Sequence, residues 1–167
     1  MYVPALGLSG WPAPRFSLKA TSDVVRRGLL YVLLIGLVGM EAELLLLKHI
    51  DGLWQLVPIV LIAVALLVLA FYAVTRGAGS IRALQLVMAL FVASGAVGAI
   101  QHFRGNIVYE RDSNPSLSGL ELYKSAMMGS TPALAPGAMI QLGLIGLLFT
   151  YRHPSLGRSK ANEDPPA

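Results

Sequence analysis

Glu41 and Glu43 interrupt the stretch Gly28–Leu47, which is otherwise free of charge. A carboxylate near the centre of a bilayer costs on the order of 3 kcal/mol, so such groups face a cavity or a partner. A carboxyl group held there can load and release a proton, the chemistry that ion-coupled transport requires. Counting back from Leu47 at about 1.5 Å per residue puts Glu41 about 9 Å and Glu43 about 6 Å below the helix end. Two residues apart on a helix is about 200°, so the two cannot share a face. Gly36 and Gly39 fall within about 40° of Glu43 on a helical wheel, and small residues mark the closely packed side of membrane helices. The expectation is that Glu43 faces the interior, with Glu41 turned to a second protein, a partner helix or a thinned lipid edge. Ser94 and Gln141 lie at similar depth, about 10 Å and about 12 Å in. With Glu41 and Glu43 they form the candidate proton or ion site. The alternative is a neutral glutamic acid that hydrogen-bonds a neighbouring helix or reaches water from the shallow outer leaflet.

Two histidines leave apolar runs in similar settings. His49-Ile50-Asp51-Gly52 and His102-Phe103-Arg104-Gly105 have their histidines 53 residues apart, a faint sign of a parallel two-helix repeat. The pair His49 and His102 could ligate a b-type haem, or hold a metal together with Asp51. Histidines resting at the interfacial ends of helices are the other reading. No catalytic residue is expected. Cysteine is absent, which excludes disulfides, thiolate nucleophiles and Cys-ligated metals. No G-x-G-x-x-G, P-loop, H-E-x-x-H or G-x-S-x-G occurs either.

These residues imply elements of a particular kind. The chain has 167 residues, 13% charged, with a mean hydropathy of +0.65. That charge content is about half the usual ~25% of soluble domains. A bilayer core of about 30 Å needs about 20 mostly apolar residues per helix. Four stretches qualify, at about 28–47, 53–75, 83–101 and 133–151. The predicted fold is an all-α integral membrane protein, an antiparallel bundle of four transmembrane helices. Residues 1–27 form a loosely ordered cytoplasmic lead, with Ser22 or Asp23 capping the first helix. Residues 152–167 form a disordered tail. A long outer loop, 102–132, joins helices 3 and 4. Its middle, Leu117–Met128, could form a short amphipathic helix starting after Ser116 or Ser118; the alternative is a solvated tether with a frayed helix. Leu117, Leu120, Met127 and Met128 would then lie on the membrane surface or cap the bundle's outer mouth.

Basic residues orient the bundle. Alternating sides from the N-terminus assigns nine to the side of the termini and four to the other. The positive-inside rule then puts both termini in the cytoplasm, with the chain in the plasma (inner) membrane. This asymmetry accounts for the net charge of +4 without a nucleic-acid partner, and no basic stripe with interleaved aromatics is present. Ser94/Gly98, Gly95/Ala99, Gly143 and Gly146 provide faces for close helix contact.

The first span resembles the small multidrug exporters, four-helix proteins with a membrane-embedded glutamate in their first helix. The residues that carry the likeness are Tyr31, Glu41, Leu47-Lys48, Asp51-Gly52 and Pro58, with Ser94-Gly95 and Gly98 in the third span. The resemblance implies proton-coupled transport through a membrane-embedded glutamate, Glu43 or Glu41. The sequence departs from that family in its longer chain, its longer connection before the fourth span and its second glutamate.

Three functions follow. The first is a non-enzymatic structural or accessory subunit of a membrane assembly, with the lipid bilayer and a homo-oligomer or membrane-protein partner around it. The second is a proton- or ion-coupled small-solute transporter. The third is a haem-binding electron-transfer subunit.

Overall fold

The structure, a computed structural model, describes residues 18–50, 52–129 and 135–161. Among the described residues there are helices and no strands: α1 Leu18–Leu46, α2 Leu53–Thr75, α3 Ala78–Ser113, α4 Gly119–Met127, α5 Gly137–Thr150 and α6 Pro154–Ala161. Three of them, α1, α2 and α3, are long and apolar enough to cross a membrane.

α2 covers the same residues as the second expected span. It starts after an extended Gly52 and ends at Arg76, whose φ of 48° is left-handed. That backbone reversal leaves only Arg76 and Gly77 between α2 and α3, so the two helices are closely coupled.

α3 corrects the expected loop. The third apolar stretch was expected to end at Gln101, but the helix continues through His102–Ser113. Those residues contain no proline, and α3 stops where proline chemistry requires it. Asn114 is extended at φ −144° and precedes Pro115, whose ring disfavours helical backbone at the residue before it. At about 1.5 Å per residue, 36 residues make a rod of about 54 Å, well beyond a ~30 Å hydrocarbon core. The remainder of the expected loop contains α4, preceded by an extended Ser118. The amphipathic helix is therefore present, but its buried residues are Leu122 and Ala126. Leu120 and Met128 are exposed.

Three further boundaries move. α1 begins at Leu18, so Ser22 and Asp23 are interior helical residues and not caps. Residues 18–27 of the expected lead are helical, while 1–17 lie outside the described residues. The expected disordered tail contains α6, with residues 162–167 outside the described set. The fourth stretch yields a helix of 14 residues, about 21 Å long, which begins at Gly137 after Pro136. Residues 130–134 are not described.

α1 packs against α2 and α5, and α3 packs against the same two. Leu33 and Leu37 of α1, Ile62 and Ala65 of α2, Met88 and Phe91 of α3, and Leu142 and Phe149 of α5 share the core. The outward faces remain apolar, with Ile35, Val38, Leu67, Phe71, Val74 and Leu148 all more than half exposed. Soluble monomers rarely show continuous apolar surface on this scale. In lipid such faces need no cover, and association depends on close packing. The α3–α5 contact supplies it. A Cβ on Gly95 would meet the Pro136 carbonyl oxygen at 2.8 Å, and one on Gly143 would meet the Met88 carbonyl oxygen at 2.8 Å. These are the small-residue faces singled out from sequence.

Candidate functional site

The inward stripe of α1 is centred on Leu33 and Leu37, with Met40 and Leu44 partly buried against the core. Glu41 and Glu43 flank it on opposite sides. The structure reverses the expected facing: Glu41 is half-buried and Glu43 is exposed. The Oε2 atom of Glu41 is shielded from solvent and has no hydrogen-bond partner among the described residues. The two glycines that share the Glu43 side of the helix differ in their surroundings. Gly36 abuts Leu142 of α5, whereas Gly39 has nothing within 4 Å of an added Cβ.

Ser94 is half-buried on α3, and Gln141 is exposed on α5. Gln141 lines a groove of about 390 Å³ between α1 and α5, with Val32, Gly36, Met40 and Leu142 among its walls. Glu41, Glu43 and Ser94 do not line that groove. The expected polar belt is therefore not gathered into one cavity.

His49 lies in the turn after α1 and donates its backbone N–H to the Leu44 carbonyl at 3.0 Å; its side chain is half-buried. His102 is half-buried in the interior of α3 and not at a helix exit. Asp51 lies outside the described residues. Among the described residues no three His, Cys, Asp or Glu side chains cluster as metal donors.

Two features were not anticipated. The first is the brace between α3 and α4. Asn106 is 2% exposed and its Nδ2 donates to the Ala126 carbonyl at 2.9 Å. Phe103 meets Tyr123 edge-on, ring centroids 5.5 Å apart. Gly129 follows α4 at the Asn106 side chain, where a Cβ would come within 2.8 Å of Cγ. The extension of α3 is thus held by α4, while Val108, Tyr109, Leu120, Tyr123 and Met128 stay exposed.

The second is a knot at the basic end of the bundle. His153, 6% exposed, accepts the Ser155 backbone N–H on Nδ1 at 3.2 Å. A neutral ring accepting on Nδ1 carries its proton on Nε2, which lies 3.1 Å from the Tyr72 hydroxyl. The Ser155 hydroxyl donates to the Arg76 carbonyl at 2.9 Å. Arg26 reaches the carbonyls of Tyr151 and Arg152 at 3.5 Å each, and pairs with Asp23 at 3.8 Å. The guanidinium thereby meets carbonyls at the C-terminal end of α5 that lack helical partners. Beside the knot is a cavity of about 720 Å³. The knot forms where the ends of α1, α2 and α5 converge, which residue types alone do not reveal.

Comparison with protein-family models gives no match. Comparisons with characterised proteins and with solved structures likewise give none. The likeness of the first span to small multidrug exporters has no family match beside it.

Proposed function

We propose that this chain is a non-enzymatic accessory or structural subunit of a membrane assembly, docking through the braced α3–α4 hairpin. The supporting observation is that hairpin. α3 runs unbroken for about 18 Å beyond its apolar segment, and α4 fixes it through buried Asn106. An element this ordered, bearing exposed Tyr109, Leu120, Tyr123 and Met128, suits protein contact, because exposed aromatic and Met side chains are enriched at interfaces.

In this reading α5 is the fourth span. Contacts climb α5 as they descend α3, from Pro136 at Gly98 and Gly95 to Gly146 at Met88. That order supports an antiparallel pair. The short α5 is accommodated by local thinning of the bilayer. Arg26, Arg76 and Arg152 gather at one end, which supports a cytoplasmic assignment for both termini in the plasma membrane.

The test is the particle size of the full-length protein extracted from its native membrane in mild detergent. A species well above one 17.8 kDa chain is expected, falling in size in the double variant Leu120→Glu/Met128→Glu without loss of thermal stability. A lone chain in the unaltered protein, or an assembly indifferent to the double variant, contradicts the reading.

A second reading, proton- or ion-coupled transport through Glu41, draws on the unpartnered and shielded Oε2 of that residue. Its test is substrate-driven proton movement in liposomes, abolished by Glu41→Gln and retained by Glu43→Gln.

A further inference from the structure

The cavity at the basic end has a polarity gradient. Its mouth is formed by Arg26, Arg27 and Arg76 with one carboxylate, Asp23. Among the described residues that carboxylate pairs with Arg26, and no ion pair engages Arg27 or Arg76. Tyr31, Tyr72 and His153 follow, and the far walls are Leu34, Leu66, Leu69 and Ala70. From Arg27 to Leu34 is about 10 Å along α1, and from Arg76 to Leu66 about 15 Å along α2. The second distance is about half of a ~30 Å hydrocarbon core, the depth of one leaflet. The cavity is therefore cationic where lipid headgroups lie and apolar where acyl chains lie.

We propose that this cavity is a binding site for an anionic glycerophospholipid of the membrane, its phosphate held by Arg26, Arg27 and Arg76 and one acyl chain lying between α1 and α2. The inference rests on the membrane-spanning reading, with this end at the headgroup level. Three guanidiniums against one carboxylate leave an excess of positive charge that a phosphodiester anion neutralises. Arginine suits that task through its planar fork of donors. Basic pockets between membrane helices on the cytoplasmic side bind acidic headgroups by the same physics. The apolar depth separates this site from one for a soluble phosphate, which would leave Leu34, Leu66 and Leu69 without an occupant. The Tyr72–His153 bond and the Ser155–Arg76 bond hold α2 against the start of α6, so the walls are in place before a lipid arrives.

The test uses the full-length protein in neutral detergent and reads its thermal midpoint. The additives are dioleoyl phosphatidylglycerol, dioleoyl phosphatidylcholine, inorganic phosphate and glycerol 3-phosphate. Phosphatidylglycerol is expected to raise the midpoint by about 5 °C or more at saturation, with little effect from the other three. Arg27→Gln/Arg76→Gln loses most of that rise, and Arg27→Lys/Arg76→Lys keeps part of it. Ala70→Phe, which fills the apolar end, also loses it and decides the matter if the double glutamine variant does not fold. Arg82→Gln, at the same end but outside the cavity, keeps the full rise. Equal shifts with both lipids overturn the proposal, as does a matching shift with soluble phosphate or a rise that survives Ala70→Phe. Loss of the rise in Arg82→Gln would reduce it to general charge attraction and overturn it too. None of these outcomes alters whether the chain requires detergent, so failure of the lipid site is distinct from failure of the membrane reading.

Discussion

The Nε2 atom of His153 and the hydroxyl of Tyr72 stand 3.1 Å apart, joining the segment after α5 to the last turn of α2 across 81 positions of sequence. Phe149 stacks edge-on against Tyr72 and tilts against His153, with centroids at 6.0 Å and 5.5 Å. Tyr72→Phe keeps those ring contacts and removes only the hydroxyl. The hydrogen bond it removes contributes about 1 kcal/mol. The expected result is a lower thermal midpoint in detergent, with a larger fall for His153→Ala, which also orphans the Ser155 N–H. A midpoint unchanged in both variants would mean the knot contributes nothing.

The α3–α5 contact makes a sharper contrast, because two glycines on different helices should answer oppositely. Gly95→Ala forces a methyl against the Pro136 carbonyl oxygen and the Ile140 backbone nitrogen, at 2.8 and 2.9 Å. Backbone cannot yield as a flexible side chain can, so a loss of about 1–3 kcal/mol is expected. Gly39→Ala meets nothing within 4 Å and should stabilise α1 by up to about 1 kcal/mol through helix propensity. Thermal midpoints of the two variants in one detergent make the comparison.

Asn106→Ala should loosen the hairpin selectively. It removes the bond to the Ala126 carbonyl, worth about 1 kcal/mol, and opens space where the Asn106 side chain met the Gly129 backbone. Hydrogen–deuterium exchange should accelerate over 119–127 while α2 and the apolar part of α3 stay protected. Faster exchange throughout the bundle would show that the hairpin is not a separate unit.

How much of this was legible depends on which physical signal each feature leaves. α2 could be read from its uninterrupted apolar residues between Gly52 and Arg76. α4 could be read from its polar surroundings and from Ser118 before it. The glycines of α3 and α5 marked their contact because close approach admits only small residues. The extension of α3 was missed because hydropathy reports where lipid ends, not where a helix ends. The stop signal was Asn114-Pro115, 13 residues after Gln101. The facing of Glu41 and Glu43 was not legible because the Leu33–Leu37 stripe, not the glycines, sets the inward direction of α1, and Gly39 packs against nothing. The knot around His153 joins residues far apart in sequence, and no spacing rule connects them.

Glu41 and Glu43 should also separate in stability measurements. Glu41 has an oxygen shielded and unpartnered, whereas Glu43 is exposed. Replacing an unpaired polar group by an apolar one of similar size removes its desolvation cost. Glu41→Leu is therefore expected to raise the thermal midpoint, and Glu43→Leu to stay within about 0.5 kcal/mol of the parent. A fall in Glu41→Leu would reveal a partner for that carboxyl group and would favour a working role for it.

The central claim is that four helices cross a membrane, the short α5 among them, and the absence of native cysteine makes it directly measurable. Single variants Gly52→Cys, Gly79→Cys, Asp112→Cys and Gly157→Cys would be exposed in intact cells to a maleimide that cannot cross the membrane. The account predicts labelling of Gly52→Cys and Asp112→Cys from outside, and of Gly79→Cys and Gly157→Cys only after permeabilisation. Labelling of Gly157→Cys together with Asp112→Cys in intact cells would contradict it, because α5 would then fail to cross.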